Sequence, residues 1–570
     1  MRYILGVSGY FHDSSVCLLE NGQLIEFVKE ESLTRIKGTR GFPIRSLKFL
    51  IKKYNLTDKN IDYLAFYEKP LRGWAANVHY SLAKPKQSFD LLRHQIKQFW
   101  NGPIHFISEL KKTLHISEHK LLFVPHHLSH ALSALAFVPS EILKNPLLNF
   151  VFDGVGDGNT TSIFKIQNNE AELVFQQDYP HSLGLFYSAV TDYCGFLVNE
   201  GEYKLMALAA FGSPLHYEFF RENIFDINAP SFKLDMSWFD YDKNPERSYS
   251  QKWIEKFGPP IHEKEINDMR SGSFQRAADL ASSSQLILEA IINSIITWGI
   301  KKTGIPDITI SGGVAQNSLA MCSAALVPNV SSLTVPPSPG DSGAAIGAAN
   351  FARMLSGSAS ITCKEIFYGA SHFDTENSVF QDLFSLDCDT KNMEGRLDKL
   401  VGSGKIIGCY FGGNEIGPRA LCNRSLICAA NNRQSVEALN LIVKKREAFR
   451  PLAPVMLRSV AEKWFDINQK ALGGYRWMAL TAVANKNFPS EYESILHIDR
   501  TARIQILEDE EHLLYKFLLR NEGTIDMLVN TSFNVAGDPI VFDEIDCFVN
   551  MKRLGVDYII TDTGLYCCKP

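Results

Sequence analysis

Apolar and polar positions along the first thirty residues fall into blocks that predict three short strands. Residues 3–9 form an apolar run ending at Gly9, residues 15–20 a second and residues 23–28 a third, with Asn21-Gly22 between the last two. Asn-Gly between apolar runs signals a two-residue hairpin, because both central residues of that turn need positive φ. The pattern recurs at 149–175. An apolar strand ends at Asp153, Gly154-Val155-Gly156-Asp157-Gly158 makes a polar turn, a strand covers 160–166, and Asn168-Asn169 turns into a strand at 171–175. Two copies of strand, Asp/Gly turn, strand, hairpin and strand predict an α/β chain with a duplicated nucleotide-binding fold. A long amphipathic stretch at 274–302 then leads to an apolar strand at 307–310, Gly312-Gly313 and a small-residue run through Asn317. Strand, Gly-Gly turn and helix is how an open α/β sheet offers backbone N–H groups to a nucleotide; close packing is the other use of such a glycine pair.

Composition narrows the class. A chain of 570 residues is too long for one hydrophobic core. The small, polar run Ser356-Gly357-Ser358-Ala359-Ser360 predicts a linker at 357–366 between domains 1–356 and 367–570. Apolar content of 45% and charged content of 21% describe a folded globular protein, and a net charge of −5 argues against a general nucleic-acid binder. No apolar run reaches the length of a membrane span, and the apolar start is too short for a signal peptide. Eleven scattered cysteines without a Cys-x-x-Cys pair fit reduced thiols. The expectation is a cytoplasmic enzyme without nucleic-acid or membrane partners.

Candidate chemistry begins with His126 and His130, which share one helix face at i,i+4 and form a metal half-site in need of a third ligand. Asp341 precedes an Ala/Gly-rich helix and either caps it or supplies that ligand. Two histidines and one aspartate with open positions suit iron(II), manganese or zinc. The glutamate of a His-Glu-x-x-His protease is absent. Gly154 and Gly156 let backbone approach phosphate oxygens, while Asp153 and Asp157 suit magnesium or its waters.

The second half is dense in cations beside glycine and proline: Arg419, Arg424, Lys444, Arg450 and Arg503. Guanidinium groups fork onto phosphate and carboxylate oxygens, although 444–450 taken alone also reads as a solvated basic helix face. Asn530, Thr531 and Ser532 end an apolar strand and could hold a phosphate or an amide, or simply turn the chain. The aromatic stretches 74–100 and 217–257 suit either an acceptor pocket or subdomain packing.

These residues carry a resemblance. His12-Asp13-Ser14-Ser15, Glu30-Glu31, Arg35-Ile36-Lys37, the His126–His130 run, Asp153 to Gly158, Gly201 to Met206, Ser311 to Asn317, Gly340 to Gly343, Asn414 to Leu421, Arg446 to Pro451, Arg503 to Gln505 and Asn530 to Asn534 together resemble the O-carbamoyltransferase family. That family includes nodulation protein NodU, the cephem carbamoyltransferase and tobramycin carbamoyltransferase. Ser32 and Cys422 depart from its usual arginine and glycine. The resemblance implies an N-terminal duplicated actin/sugar-kinase (ASKHA) domain like that of TsaD, followed by a YrdC-like α/β domain. It implies ATP with magnesium, a metal at the His-His-Asp site, and carbamoyl phosphate and a small-molecule hydroxyl acceptor as partners; a homodimer is left open. The C-terminal domain would form carbamoyl adenylate, and the N-terminal domain would move the carbamoyl group onto the hydroxyl. A hydroxyl acceptor needs a base near neutral pH, and His12 at the first turn is the expected one. Arg419 is expected to act at the donor, and Lys37 and Lys204 to contact phosphate. A tRNA threonylcarbamoyl-type transferase is the second reading, and a non-enzymatic actin-like ATPase the third.

Overall fold

The structure, a computed structural model, describes residues 2–83, 89–100, 102–357, 361–363, 365–369, 375–445 and 447–569. It divides into two compact units, residues 1–25 with 40–364, and residues 26–39 with 365–570. Expected linker positions 358–360 and 364 lie outside the described residues, as does Arg446.

In the first unit, strands β1 (Tyr3–Ser8), β2 (Ser15–Glu20), β3 (Gln23–Lys29), β4 (Ile61–Phe66) and β5 (Leu121–Phe123) form a sheet in the order β3-β2-β1-β4-β5. β1 pairs antiparallel to β2 and parallel to β4. Every residue of β1 is buried, as expected for a strand covered on both faces. Strands β6 (Leu147–Gly156), β7 (Asn159–Gln167) and β8 (Glu170–Asp178) come next, followed by the separate hairpin β9 (Phe225–Asn228) and β10 (Ser231–Leu234), then β11 (Asp307–Ser311) and β12 (Ser332–Thr334). The second sheet runs β8-β7-β6-β11-β12, with β6 antiparallel to β7 and parallel to β11. The two sheets share one topology, which is the duplication expected from the repeated hairpins. Asn21 and Gly22 have φ of 47° and 81°, and Asn168 and Asn169 of 53° and 63°, as tight hairpin turns need.

The helix Gly272–Thr303 starts where the Ser271 side chain accepts a hydrogen bond from Phe274 N–H, and ends at Gly304 with φ 72°. By length and composition it could cross a bilayer, but 61% of its most apolar window is buried inside the protein. It is a core helix, which accounts for the amphipathic pattern.

Two further helices position the candidate site. His126–Leu135 packs against Asp341–Leu355, and Asn350 Nδ2 donates to the Leu132 carbonyl at 3.0 Å. Their approach depends on Gly347, where a Cβ would lie 1.7 Å from the Ser129 carbonyl oxygen.

The second unit is built on β13 (Phe384–Asp389), β14 (Ile407–Tyr410), β15 (Arg424–Ala429), β16 (Ala453–Leu457), β17 (Phe465–Asp466), β18 (Ala482–Ala484), β19 (Thr501–Ala502), β20 (Gln505–Leu507), β21 (Met527–Ser532), β22 (Tyr558–Thr561) and β23 (Gly564–Cys568). Eight of them form a mixed sheet in the order β13-β23-β22-β14-β15-β21-β16-β20, and β17, β18 and β19 form a small second sheet. Its core gathers Leu397, Ile407, Val455, Phe517, Leu528 and Ile560.

The sequence division keeps 26–39 with the first domain, whereas the structure groups this segment with the second unit. Phe27 N–H donates to Tyr368 O at 2.8 Å and Lys29 Nζ to Gly417 O at 2.8 Å. The Arg35 guanidinium reaches Ile540 O at 2.8 Å, Pro539 O at 3.0 Å and Asp546 Oδ1 at 3.1 Å.

Overpacking of a tight helix contact costs about 1–3 kcal/mol. Gly347→Val should therefore lower stability by about 3 kcal/mol, the upper end because the obstacle is backbone, measured by denaturant unfolding.

Candidate functional site

His126 and His130 sit on the first turns of their helix with both Nε2 atoms turned inward, 3.0 Å apart. His126 Nε2 is 3.2 Å from Asp153 Oδ2 and 3.6 Å from Asp341 Oδ1. His130 Nε2 is 3.2 Å from Asp341 Oδ1 and 3.8 Å from Asp153 Oδ2. The four residues are buried and their ligand atoms lie within 4.8 Å of one another. Ligand atoms bound at about 2.0 to 2.2 Å lie up to roughly 4.4 Å apart across an ion, so the cluster has nearly the size of a coordination sphere. His130 Nδ1 lies 3.1 Å from the Pro339 carbonyl, to which it donates, leaving the Nε2 lone pair for the cluster. Two imidazoles and two carboxylates fit a divalent first-row ion.

The sequence reading named three of these four residues as metal-ligand candidates and gave Asp153 a different role. At the end of β6, Asp153 turns Oδ2 to the histidines and accepts the Gly313 N–H at Oδ1, 2.9 Å away. Gly312 makes this turn with φ 90°, at a place where a Cβ would lie 2.2 Å from Phe152 O. Gly156 makes room for His126, since a Cβ there would lie 2.0 Å from the imidazole. Asp341 is the first helical residue behind the Gly340 N-cap, so its carboxylate faces the cluster and does not cap the helix.

Asp157 departs from the expected magnesium role. Its oxygens accept backbone N–H groups, from His126 at 2.9 Å and Lys69 at 3.1 Å, so it ties the histidine helix to the segment after β4. Gly154 O accepts the Ser182 hydroxyl at 2.7 Å. Asn317 caps the helix Ser318–Ala325 and exchanges amide hydrogen bonds with Gln285 at 2.8 and 3.1 Å. Lys204, expected at a phosphate, pairs with Glu263 at 2.5 Å and lies over the Phe196 ring. Trp253, Phe220 and Phe239 are fully buried, so within 217–257 these rings are packing.

Charges around the cluster favour protonated imidazole. Burial works to lower the His126 pKa, but the hydrogen bond with Asp153 and the charges of Asp341, Asp153 and Glu68 push it up to about 10. His12 behaves likewise: burial opposes its charge, while the 2.9 Å hydrogen bond with Asp13 and the charges of Asp341 and Asp153 raise it to about 9. His12 is therefore within electrostatic reach of the cluster. Glu68, which no sequence pattern marked, is raised to about 8 by burial, then pulled down by His126 and up by Asp157 and Asp341.

In the second unit three of the expected cations stand apart from the others. Burial and then the charge of Arg503 work against the charge on Arg419, and burial and Arg450 work against Arg503. Arg450 pairs with Glu447 at 3.2 Å. Guanidinium groups gathered in this way have the chemistry that could bind an anion. Arg424 differs from the expectation: it is wholly buried, donates to the carbonyls of Gly412 at 2.8 Å and Asn423 at 3.2 Å, and stacks 3.4 Å from the Tyr410 ring centroid. Lys444 is also buried, and its ammonium donates to Ser532 O at 2.8 Å and Asn534 Oδ1 at 2.8 Å. Both cations hold loops instead of facing a ligand. Asn530 Nδ2 donates to Gln505 Oε1 at 2.7 Å and Ala420 O at 3.0 Å, Thr531 is buried, and the Ser532 hydroxyl donates to Asn534 Oδ1 at 2.6 Å. Glu415, which the sequence reading did not single out, accepts the N–H groups of Leu421, Asn423 and Arg424 at 2.8, 3.1 and 2.9 Å. Lys37 is exposed on the 26–39 segment.

A duplicated nucleotide-type α/β unit with a buried histidine–carboxylate centre, joined to a second α/β unit with an arginine cluster, defines a two-domain enzyme class. The chain belongs to the carbamoyltransferase family: the model of the carbamoyltransferase N-terminus matches residues 3–350, and that of the C-terminus matches 398–567. It is 31% identical to the uncharacterized protein sll1178 of Synechocystis sp., over 99% of this chain and 96% of that protein. It is 27% identical to nodulation protein NolNO of Sinorhizobium fredii, over 98% of this chain and 79% of that protein. Among solved structures it is similar to component A of the (R)-2-hydroxyglutaryl-CoA dehydratase of Acidaminococcus fermentans, with 12% identity, 63% of this chain and 100% of that chain covered, and a TM-score of 0.32.

Purified protein should carry about one divalent ion per chain. His130→Ala and Asp153→Ala should each lose it, read by elemental mass spectrometry on folded protein. Retention of metal by Asp153→Ala would remove that residue from the ligand set.

Proposed function

We propose that this chain is an ATP-dependent O-carbamoyltransferase that works in two half-reactions. In the second unit carbamoyl phosphate, ATP and water give carbamoyl adenylate, phosphate and pyrophosphate. In the first unit the acceptor hydroxyl attacks the carbamoyl carbon, the bond to AMP breaks, and the hydroxyl proton passes to His12. The observation that carries this reading is the buried cluster of His126, His130, Asp153 and Asp341 in the unit that matches the carbamoyltransferase N-terminus.

His126, His130, Asp153 and Asp341 would hold the ion, with iron(II) preferred and manganese or zinc as alternatives for this donor set. When bound, it would stabilise negative charge developing on the leaving phosphate. Arg419, Arg450 and Arg503 bind the donor's phosphate oxygens, and their mutual repulsion favours an anion among them. Magnesium accompanies the nucleotide. His12 is held against Asp13, which orients its ring and favours the imidazolium formed as the proton arrives. The acceptor is a hydroxyl of a small natural product or glycoside. The net charge of −5 disfavours tRNA as the alternative acceptor.

Incubation with ATP, carbamoyl phosphate and magnesium should yield pyrophosphate that depends on carbamoyl phosphate; ADP without pyrophosphate would instead indicate a kinase or ATPase. His130→Ala should keep this half-reaction and lose transfer, whereas Arg503→Ala should slow pyrophosphate formation by roughly 100-fold. If both half-reactions die together in folded His130→Ala, the division of labour is wrong.

His12 must be neutral to accept a proton, and its pKa is raised to about 9. Transfer should therefore rise with pH and level off by about that value. An unchanged pH profile in His12→Ala would exclude it as the base.

A further inference from the structure

Lys29 has no role in the chemistry so far, yet its ammonium is buried, with only 9% of the residue exposed. Its Nζ donates to the Gly417 carbonyl at 2.8 Å and lies 3.4 Å from Glu31 Oε1. The other Glu31 oxygen accepts the Gly38 N–H at 3.0 Å, so the pair is tied into the 26–39 segment. A buried ammonium is stable only where such partners replace the water it has lost. The space beside it is a cavity of about 10 Å³ lined in part by Lys29, Ser32, Asn414 and Glu415. That is room for one water and too little for a phosphate-bearing substrate. Lys29 therefore serves the turn it holds.

That turn carries Arg419. It is fixed at its start by Asn414, which exchanges backbone hydrogen bonds with Gly369 at 2.7 and 2.9 Å, and by Ile416, whose N–H donates to Ile366 O at 2.8 Å. It is fixed again at its end, where Glu415 Oε1 accepts the N–H groups of Leu421, Asn423 and Arg424. The stretch between has little of its own to hold it. Gly417 has φ 104°, which glycine adopts freely, and Pro418 has no N–H to donate. Two side chains hold this stretch by its carbonyls: Lys29 takes Gly417 O, and Asn530 Nδ2 takes Ala420 O at 3.0 Å. Arg419 sits between those two carbonyls.

On the reading of the second unit as the site of adenylate formation, we propose that Lys29 is a positioning residue for Arg419. By holding the Gly417 carbonyl it fixes the turn from which the Arg419 guanidinium meets the donor's phosphate oxygens. A residue near the start of the chain thus belongs to the donor site of the second unit.

The test measures pyrophosphate formation by the full chain from carbamoyl phosphate, ATP and magnesium. It compares the wild-type protein with Lys29→Met, Lys29→Arg, Arg419→Ala and the double variant Lys29→Met/Arg419→Ala. Lys29→Met should lower kcat/KM for carbamoyl phosphate by about 10-fold or more, because a small displacement of a binding group costs that much. Lys29→Arg, which keeps donors for the carbonyl, should recover most of the loss. Arg419→Ala should cost roughly 100-fold, and adding Lys29→Met to it should change the rate by less than about 3-fold. Effects that multiply in the double variant would show Lys29 acting apart from Arg419 and overturn the proposal, as would a wild-type rate in Lys29→Met. If Lys29→Met does not fold, judged by circular dichroism, Lys29→Gln, uncharged and one atom shorter, takes its place in the same cycle. A wild-type rate in Arg419→Ala overturns the part of Arg419 in donor binding and this inference with it. Absence of pyrophosphate from the wild-type protein overturns the adenylate reading itself, whereas failure of Lys29 alone leaves that reading standing.

Discussion

Asp153 and Asp341 are buried side by side with two imidazoles, and the interior of the first unit depends on supplying positive charge at their centre. Each carboxylate is less than a tenth exposed. Burying one such charge without compensation costs several kcal/mol, so two carboxylates in one pocket are stable only around a cation. The raised His126 and His12 express the same demand, because each imidazole gains a proton in the field of these carboxylates. The surrounding architecture serves this placement. Gly347 lets the two ligand-bearing helices touch, Gly156 clears the space of the His126 ring, and Gly312 turns an N–H onto Asp153.

The second unit poses the opposite problem. Arg419, Arg450 and Arg503 repel one another in a partly dry environment, with Glu447 as the ion-pair partner of Arg450. Lys444 and Arg424 are no less buried, but each donates to carbonyl oxygens, Lys444 to that of Ser532 and Arg424 to that of Gly412. Neighbours therefore separate two kinds of buried cation. Cations seated on carbonyls hold the Asn530–Asn534 and Gly412–Asn423 turns, whereas Arg419 and Arg503 each carry a charge that a neighbouring guanidinium opposes. Phosphate oxygens would relieve that second arrangement, as a divalent ion would relieve the carboxylates of the first unit.

This distinction marks the limit of what could be read from residue order. The two sheets were legible because Asn-Gly and Asn-Asn turns recur after equivalent strands, and turn chemistry is local. His126 and His130 were legible because helical spacing is local as well. Asp341 could be named as a third ligand only beside the alternative of a helix cap, and Asp153 was assigned to magnesium rather than to the histidines: the sequence cannot say which way a carboxylate at a strand end points. Arg424 and Arg503 read alike until their neighbours are known. The 26–39 segment was misplaced because its partners, Tyr368, Gly417 and Ile540, lie hundreds of residues away. Glu68 belongs to no motif, and its environment is made by residues from four distant parts of the chain.

Oxygen atoms around the histidine–carboxylate cluster can be ordered by what they already hold. Both Asp157 oxygens accept backbone N–H groups, so that residue is structural. Asp153 gives one oxygen to Gly313 and turns the other to the histidines, so it links scaffold and site. Asp341 turns an oxygen toward both imidazoles. Glu68 comes last, with no donor among the described residues. Saturated groups fix geometry, while unsaturated ones such as Glu68 ease their desolvation by holding a proton more tightly. The fully bonded Asp157 holds Lys69, and through it the chain beside Glu68, at the edge of the cluster. A carboxylate with both oxygens bonded thereby positions one that no donor among the described residues meets.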